Sequence, residues 1–401
     1  MTVYIDPPNA SGHGRMWSHL ASDVSYEELH AFALPMGVPA RGFDGDHYDI
    51  PADWYDRFVA AGAVPVSSRE LIVRLAGAGL RRRKSDRMRP RLPGRRLVPP
   101  RRLRVGDRVA VVLPAGPARP DAVESGCEVL RSWGLDVVVV APVPDDGAGA
   151  GRAPELGWLA GSDAGRAAAL TAAWLDPEVA AVWCARGGFG SQRVLDLLDW
   201  RLLASVPTRL LVGFSDVTAL HQGFASRLGV VTVHGPGVAG LGDVEERSLA
   251  RLRALLLEGR AEPLHGTPLV AGLAEGVLVG GNLTVLASGA GTEPVHTARD
   301  SIALLEDVHE APYRLDRALT QLLRSGWFDG VRGVLCGAFT DCGDPSEVRA
   351  LLTARLGNLG VPVVLDAPLG HQAPNLAVPL GSPCTVDATS GRLTFPHPVL
   401  R

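Results

Sequence analysis

The chain has 401 residues, of which 46% are hydrophobic and 21% are charged, and its formal net charge at pH 7 is −3. This length is enough for two or three domains with a sizeable core. The small net charge provides no global field that would attract nucleic acid or an anionic membrane, and no run approaches the ~18 apolar residues of a membrane-spanning helix.

The cysteines and the N-terminus indicate a cytoplasmic protein. The five cysteines are scattered and form no C-x-x-C pair, an odd set that fits a reducing compartment better than a disulfide framework. Asp6, Pro7 and Pro8 occupy the stretch where a signal peptide needs an apolar core. We therefore expect no membrane anchor and no export.

Residues 1–80 are predicted to form a small N-terminal unit. A strand is expected at 2–5, and Ser25 with Glu28 forms a capping box for a helix that begins at Tyr26. Residues 68–75 have the spacing of a second amphipathic helix. Segments 15–20 and 42–49 resemble a small bacterial domain of unknown function, a resemblance that implies no activity.

Histidines are concentrated in this N-terminal unit. Four of the 11 lie here, and three aspartates are close to the last of them in sequence: His13, His19, His30 and His47, with Asp44, Asp46 and Asp49. Such a set could ligate a metal or hold a phosphate. Histidines that are buried or in loops and bonded to carboxylates are the alternative. We expect the alternative and no metal, because the spacings H-E-x-x-H and H-x-x-E-H are absent.

Residues 81–102 are basic, contain proline and have few apolar residues. This composition predicts a solvated linker. A nucleic-acid-binding tail is the alternative, but no aromatic residue interleaves the charges to stack on bases. Nucleic acid is therefore not the expected partner.

Strands and helices alternate over residues 103–242, which predicts an α/β domain with a parallel sheet flanked by helices. The expected strands are 108–113, 135–140, 180–184 and 210–212, and the expected helices are 120–133, 162–175 and 192–199. Ligands of such sheets bind at the carboxyl ends of the strands. A charged helix and connector follows at 243–275, and a second, mostly β domain with one helix near 314–323 is expected at 276–401.

Ser215 is the first candidate catalytic residue. It stands in Gly213-Phe214-Ser215-Asp216, directly after an apolar strand, and the next residues can begin a helix. The turn resembles the nucleophile elbow of serine hydrolases, although the second glycine of G-x-S-x-G is missing. A helix N-cap is the alternative role for Ser215, and Asp216 is a second candidate for that cap.

Two later strands end in the partners that a nucleophilic serine needs. Glu306 and Asp307 follow the apolar run 302–305, and His371 follows the apolar run 363–365. Adjacent residues on a strand point to opposite faces, so only one of the two carboxylates can face the histidine.

The glycines after the third predicted strand are candidates for an anion-binding loop. Gly187, Gly188 and Gly190 do not have the G-x-G-x-x-G spacing of dinucleotide-binding loops. A glycine turn can bring backbone N–H groups close to a developing oxyanion, and a plain tight turn is the alternative.

From about residue 103 onward the chain resembles the LD-carboxypeptidase family of serine peptidases. This family includes the muramoyltetrapeptide carboxypeptidases and the microcin C self-immunity peptidase. The resemblance rests on segments that occur in the family's order: Ala185 to Ser191, Gly213 to Asp216, Gly280 to Leu283, Leu305 to Val308, Pro312 to Arg317, and Gly370-His371 with Asn375 and Pro379 to Gly381. The chain departs from the family pattern at Phe189, Phe214 and His309.

The resemblance implies the site and the reaction. Ser215 would be the nucleophile, His371 the general base and Glu306 the orienting carboxylate, with oxyanion donors at the backbone of Gly188 and Asp216. It also implies a homodimer, two domains with a cleft between them, and no metal or organic cofactor.

The substrate that the resemblance implies is a murein tetrapeptide, cut at the L,D bond before its terminal D-alanine in cell-wall recycling. Asn282, Arg314 and Arg317 are candidate substrate contacts. Two alternatives remain: a self-immunity peptidase acting on an aminoacyl-nucleotide antibiotic, and a nucleic-acid-associated protein led by the N-terminal unit and its basic linker.

Overall fold

The computed structural model describes residues 2–12, 15–39, 43, 46–78, 80, 97–142, 156–292 and 298–401. The chain divides into two units, Met1–Arg89 and Pro90–Arg401. Of the predictions above, His13, Asp44 and residues 81–96 of the linker lie outside the described residues.

Over its described residues, the first unit is a five-stranded sheet with three α-helices. Its strands are β1 (Val3–Ile5), β2 (Ala10–Gly12), β3 (Arg15–Ser22), β4 (Tyr48–Pro51) and β5 (Val64–Pro65). Its helices are α1 (Tyr26–Ala33), α2 (Tyr55–Ala60) and α3 (Ser68–Gly77). Strand β3 pairs with β1, β2 and β4, and Ser25 caps α1 by accepting a hydrogen bond from the Glu28 N–H at 3.1 Å. The predicted strand and both predicted helices are therefore present.

The second unit begins with a six-stranded sheet. Its strands in spatial order are β17 (Val378–Leu380), β10 (Thr232–His234), β9 (Leu210–Gly213), β8 (Val179–Cys184), β6 (Arg108–Val112) and β7 (Asp136–Val140). All are parallel except β17, which runs antiparallel to β10. Strands β8 and β9 are buried along their whole length, as expected for a parallel sheet covered on both faces.

Helices flank this first sheet. They are α4 (Pro120–Ser132), α5 (Asp163–Leu175), α6 (Ser191–Leu195), α7 (Trp200–Ala204), α8 (Thr218–Leu228) and α9 (Glu246–Arg253). The prediction of one helix over 192–199 was wrong. Helix α6 ends at Leu195, and Asp199 starts α7 by accepting hydrogen bonds from the backbone N–H groups of Arg201 and Leu202.

The second sheet of this unit has eight strands. Its spatial order is β11 (Leu264–His265), β19 (Arg392–Thr394), β18 (Pro383–Asp387), β13 (Leu273–Asn282), β14 (Ser301–Val308), β15 (Gly333–Thr340), β16 (Val363–Leu365) and β12 (Thr267–Val270). Strands β13 to β16 are parallel, and the strands outside them pair antiparallel. The fold is therefore mixed α/β, and its C-terminal part is built mostly around a second, separate β-sheet.

The expectation of a single helix after residue 276 was also wrong. The described part of this segment contains three α-helices: α10 (Leu283–Gly289), α11 (Pro312–Arg324), which is the predicted one, and α12 (Pro345–Leu356). Asp344 caps α12 by accepting the Ser346 N–H at 2.8 Å, and Pro345 occupies its first turn. Asn282 caps α10 in the same way. Both are ordinary helix-start signals that the high glycine content of this region obscured.

Residues 97–102, the end of the predicted linker, pack within the second unit. Leu97 and Pro100 are buried, and Val98 forms a bridge with Val230. The guanidinium of Arg101 binds Asp107 with two hydrogen bonds of 2.6 and 2.8 Å.

No helix within the described ranges is both long enough and apolar enough to cross a lipid bilayer.

Candidate functional site

Ser215 lies in a sharp turn at the carboxyl end of β9. Phe214 has an extended backbone. Ser215, with φ = 65°, is the first residue of a short 3₁₀ turn, Ser215–Val217, which leads into α8. A positive φ is uncommon for a residue with a side chain and costs backbone energy, and such strain is concentrated at functional sites. The strand–turn–helix arrangement predicted from the sequence is present.

The glycine loop after β8 lies directly against this turn. A Cβ atom on Gly187 would stand 2.8 Å from Ser215 Cβ, 3.1 Å from Ser215 Oγ and 3.1 Å from the Asp216 backbone nitrogen. Gly188 has φ = 106°, a conformation open mainly to glycine. The glycines therefore allow the backbone to approach the serine hydroxyl, which a side chain at position 187 would prevent.

Asp216 fastens the glycine loop to the serine turn. Its carboxylate accepts a hydrogen bond from the Ser191 N–H at 2.7 Å, at the start of α6. Asp216 does not cap the helix after Ser215, because that helix has no side-chain cap. The carboxylate instead caps the helix that follows the glycines, so the two loops are held in a fixed relation.

His371 and Glu306 form a direct pair. The His371 Nδ1 atom lies 2.6 Å from Glu306 Oε2, and the carboxylate is fully buried. Within the described residues, the other oxygen of Glu306 has no hydrogen-bond partner. A buried carboxylate at this distance fixes the imidazole with its proton on Nδ1 and leaves Nε2 as the basic nitrogen.

The backbone before His371 is shaped by its contact with Glu306. Gly370 has φ = 97°, and a Cβ atom there would stand 2.8 Å from Glu306 Oε2. The Gly370 N–H donates to Asn375 Oδ1 at 3.0 Å. Asn375, part of the motif in which His371 occurs, therefore holds the loop that presents the imidazole.

Phe214 connects the serine turn to the histidine. Its ring centroid lies 4.7 Å from that of His371, with the planes inclined by 39°. Across the described part of the chain, no hydrogen bond joins the Ser215 hydroxyl to His371. Hydrogen bonds between catalytic groups are often long in the absence of substrate and shorten in the reacting complex.

Asp307 points away from His371 and is engaged locally, as strand alternation predicted. Its oxygens accept hydrogen bonds from Asn282 Nδ2 at 3.0 Å and from the Thr284 N–H and hydroxyl at 2.9 and 2.8 Å. Burial raises the pKa of the Asp307 carboxyl above its ordinary value. Only Glu306 of the two carboxylates contacts the imidazole.

The three predicted substrate contacts, Asn282, Arg314 and Arg317, have local partners. Asn282 is buried and binds Asp307 and the Val285 N–H. Arg314 pairs with Glu310 at 3.6 Å, and the Arg317 guanidinium lies 5.5 Å from the centre of the Tyr313 ring.

A cavity of about 590 Å³ opens beside His371. Phe214, Gly370 and His371 line one part of it, and the charged residues Arg186, Asp243 and Glu245 line another. This volume is within the usual range for small-molecule sites, about 300–1,000 Å³. Asn282, Arg314 and Arg317 are not among its described lining residues.

Sequence reasoning missed two buried histidines behind Phe214. His234 ends β10, and its ring centroid lies 6.0 Å from that of Phe214. His221 Nε2 lies 2.9 Å from the Gly213 carbonyl oxygen. Burial lowers the pKa of His221 to about 4 and that of His234 to about 3, so both are neutral at pH 7. His234 follows the valine-rich segment 230–233, a pattern similar to the apolar run that precedes His371.

Among the described residues, the one group of three closely spaced histidines and carboxylates suited to hold a metal lies in the first unit.

Comparison with protein families gives three matches. Residues 109–235 match the N-terminal domain of LD-carboxypeptidases, and residues 275–386 match their C-terminal domain. Residues 3–78 match a family of proteins of unknown function, DUF4031.

Two individual relatives named as carboxypeptidases also match most of this chain. A Streptomyces coelicolor protein, named as an inferred carboxypeptidase, is 50% identical over 311 residues, covering 76% of this chain and 98% of the relative. The murein tetrapeptide carboxypeptidase of Pseudomonas aeruginosa is 36% identical over 301 residues, covering 71% of this chain and 94% of the relative.

Solved structures show the same fold. The muramoyltetrapeptide carboxypeptidase of Oxalobacter formigenes aligns with a TM-score of 0.62 at 27% identity, covering 71% of this chain and 97% of that one. MccF in complex with glutamyl sulfamoyl guanosine aligns with a TM-score of 0.65 at 20% identity, covering 76% and 100%. At that identity the second likeness concerns the fold alone.

Proposed function

The chain belongs to the LD-carboxypeptidase family of serine-type hydrolases, and from this premise we propose that Ser215, His371 and Glu306 are its catalytic triad. Ser215 Oγ attacks the carbonyl of the C-terminal bond, and His371 Nε2 accepts the hydroxyl proton. The imidazolium then gives that proton to the leaving amine. The single observation that supports this proposal best is the 2.6 Å contact between His371 Nδ1 and a fully buried Glu306.

Glu306 acts by orientation and charge. It accepts a hydrogen bond from the Nδ1–H group of His371, which keeps the basic Nε2 nitrogen toward the serine turn, and it stabilises the imidazolium during proton transfer. After the amine has left, water attacks the acyl carbon while His371 takes a proton from it. The bond between the acyl carbon and Ser215 Oγ then breaks, and the imidazolium returns its proton to Oγ.

The oxyanion donors in this proposal are the backbone N–H groups of Gly188 and Asp216. Their support is the close approach of the glycine loop to Ser215 and to the Asp216 nitrogen. Each such donor contributes roughly 3–4 kcal/mol to transition-state stabilisation. Asp216 has a second role here, because its carboxylate anchors the loop that contains the other donor.

The substrate we propose is a murein tetrapeptide, cut at the L,D bond before the terminal D-alanine. Two relatives named for this activity cover most of the second unit. The cavity beside His371 contains both a cation, Arg186, and the anions Asp243 and Glu245. Such a lining suits a peptide with carboxylates and an amine, and Arg186 is the better-placed receptor for a substrate carboxylate than Arg314 or Arg317.

We place this reaction in the cytoplasm and in a homodimer that needs no metal for catalysis. The cytoplasmic assignment rests on five cysteines, all of them buried and none in a disulfide. The dimer rests on the family resemblance.

Mass spectrometry of a synthetic tetrapeptide tests the proposal. The substrate is L-Ala-γ-D-Glu-meso-diaminopimelate-D-Ala. The wild-type protein should remove one alanine from this peptide, and the Ser215→Ala variant should leave the peptide intact. Ser191→Ala is the matched control, because its buried hydroxyl has no partner among the described residues. That variant should keep its activity.

Two results would contradict the assignments. Retention of more than about one hundredth of the activity by Ser215→Ala would exclude Ser215 as the nucleophile. If the wild type spared the tetrapeptide but cleaved an aminoacyl sulfamoyl nucleotide in a Ser215-dependent way, the triad would stand and the substrate assignment would be wrong.

A further inference from the structure

Three side chains of the first unit share one face of its sheet. Strands β3 and β4 are antiparallel, and their register places His19 directly opposite Asp49. His47 lies one residue before β4, and its Nε2 atom lies 3.3 Å from Asp49 Oδ1, so its side chain reaches the same side of the chain as that of Asp49. Cross-strand neighbours of this kind have Cβ atoms about 4.5–5.5 Å apart. The strand register therefore brings two imidazoles and a carboxylate together.

The atoms that would bind a cation are close to one another. His47 Nε2 lies 3.3 Å from Asp49 Oδ1, and His19 Nε2 lies 4.0 Å from the same oxygen. One ligand atom from each residue can be chosen so that all three lie within 4.8 Å of each other. The ligand atoms of a tetrahedral zinc ion lie roughly 3.3 Å apart. One pair already has this spacing, and small side-chain rotations would bring in the third.

Two further carboxylates orient the imidazoles, one for each ring. His19 Nδ1 lies 2.9 Å from Asp6 Oδ2, and His47 Nδ1 lies 2.5 Å from Asp46 Oδ1. Asp6 and Asp46 are fully buried. Histidines that ligate metals commonly donate their other ring N–H to a carboxylate in this way, which fixes the tautomer and makes the ligating nitrogen more basic.

Charge and access both favour a cation. Three aspartates contact two imidazoles, so the carboxylates outnumber the rings and the group has an excess of negative charge whether or not the rings are protonated. His19 and Asp49 expose 30% and 46% of their side chains, so solvent reaches the ligand atoms. Imidazole ligands select transition metals over magnesium and calcium, which prefer oxygen alone.

We propose that His19, His47 and Asp49 form a binding site for a divalent transition-metal ion of the zinc class. Three protein ligands leave a position of a four-coordinate ion for water, the arrangement of catalytic rather than structural zinc sites. The site lies in the first unit and does not depend on the proposed peptidase mechanism. It would give the unit of unknown function a chemical activity of its own.

Metal binding by the full-length protein, first stripped with a chelator, tests this site. Equilibrium dialysis against micromolar Zn²⁺ should leave one zinc per chain. Titration with Co²⁺ should produce visible d–d absorption of a low-symmetry, four- or five-coordinate ion. Asp49→Asn, His19→Gln and His47→Gln should each weaken binding more than about 100-fold, and Asp6→Asn should weaken it about 10–100-fold.

Control variants separate this site from other ligands. His30 lies in the same unit, but its ring contacts the Tyr48 hydroxyl instead. The His30→Gln variant should therefore bind zinc as the wild type does. His371→Gln should also keep the full cobalt spectrum, which excludes binding at the proposed triad.

Circular dichroism identifies variants that fail to fold. Asp49 is the most exposed of the three ligands, so a folded Asp49→Asn variant decides the question even if a histidine variant unfolds. No zinc retained by the wild type, or undiminished binding by folded Asp49→Asn, would overturn the proposal.

Discussion

Replacing Glu306 with glutamine measures how much the buried carboxylate contributes to catalysis. At the observed 2.6 Å, with an effective dielectric constant of about 20, the attraction between a carboxylate and an imidazolium is roughly 6 kcal/mol. That energy corresponds to between four and five powers of ten in rate. Glutamine is nearly the same size but neutral, and its amide can donate to Nδ1 and so favour the wrong tautomer. We expect kcat to fall about 10⁴-fold.

The assay is steady-state release of D-alanine from the tetrapeptide, with kcat and KM determined separately. KM should change little, because in the proposed mechanism Glu306 acts through His371 and not on the ground-state substrate. Asp307→Asn is the matched control: the adjacent carboxylate faces Asn282 and Thr284, so its loss should affect stability more than turnover. A Glu306→Gln enzyme within tenfold of wild-type kcat, or an equal loss in Asp307→Asn, would refute this account of the pair.

Three further predictions follow from the geometry and the pKa shifts. Gly187→Ala should abolish turnover while the protein stays folded by circular dichroism, because the new methyl group would stand 2.8 Å from Ser215 Cβ; normal activity would show that the loop has room to move. Burial lowers the pKa of His234 to about 3. As the pH is lowered from about 6.5 to 3, His234 therefore takes up a proton in the unfolded chain only, and the free energy of unfolding falls by about 1.4 kcal/mol for each pH unit. His234→Gln should therefore move the midpoint of acid unfolding to lower pH, and an unchanged or higher midpoint would contradict the shift. Burial raises the pKa of all five cysteine thiols, and that of Cys342 to about 11. A disulfide reagent at pH 8 should therefore titrate five thiols only after the protein is denatured. Rapid reaction of the thiols in the native protein would contradict this burial.

The sequence was most informative where polar residues end apolar strands. Ser215, Glu306 and His371 each follow an apolar run in the sequence, and the structure places all three residues within one unit, with Glu306 inside strand β14. Strand alternation also separated Glu306 from Asp307 correctly. These inferences succeeded because the period of a strand and the position of its end are local properties.

Contacts between distant segments were not predictable in this way. The approach of Gly187 to Ser215 and the packing of Phe214 on His371 depend on how neighbouring strands are ordered, which no single segment specifies. The histidines of the first unit show the same limit. Their spacing along the chain matched no metal motif, yet the β3–β4 register brings His19 opposite Asp49.

Strand β17 has a consequence for the separability of the two halves of the peptidase. It comes from the C-terminal half, seven residues after His371, and it completes the sheet of the N-terminal half by pairing with β10. A fragment that ended near residue 242 would expose the whole edge of β10, and an unpaired strand edge can pair with other chains and cause aggregation. The family boundaries therefore do not mark independently foldable pieces, and an attempt to exchange one half between relatives should carry residues 378–380 along with the N-terminal half.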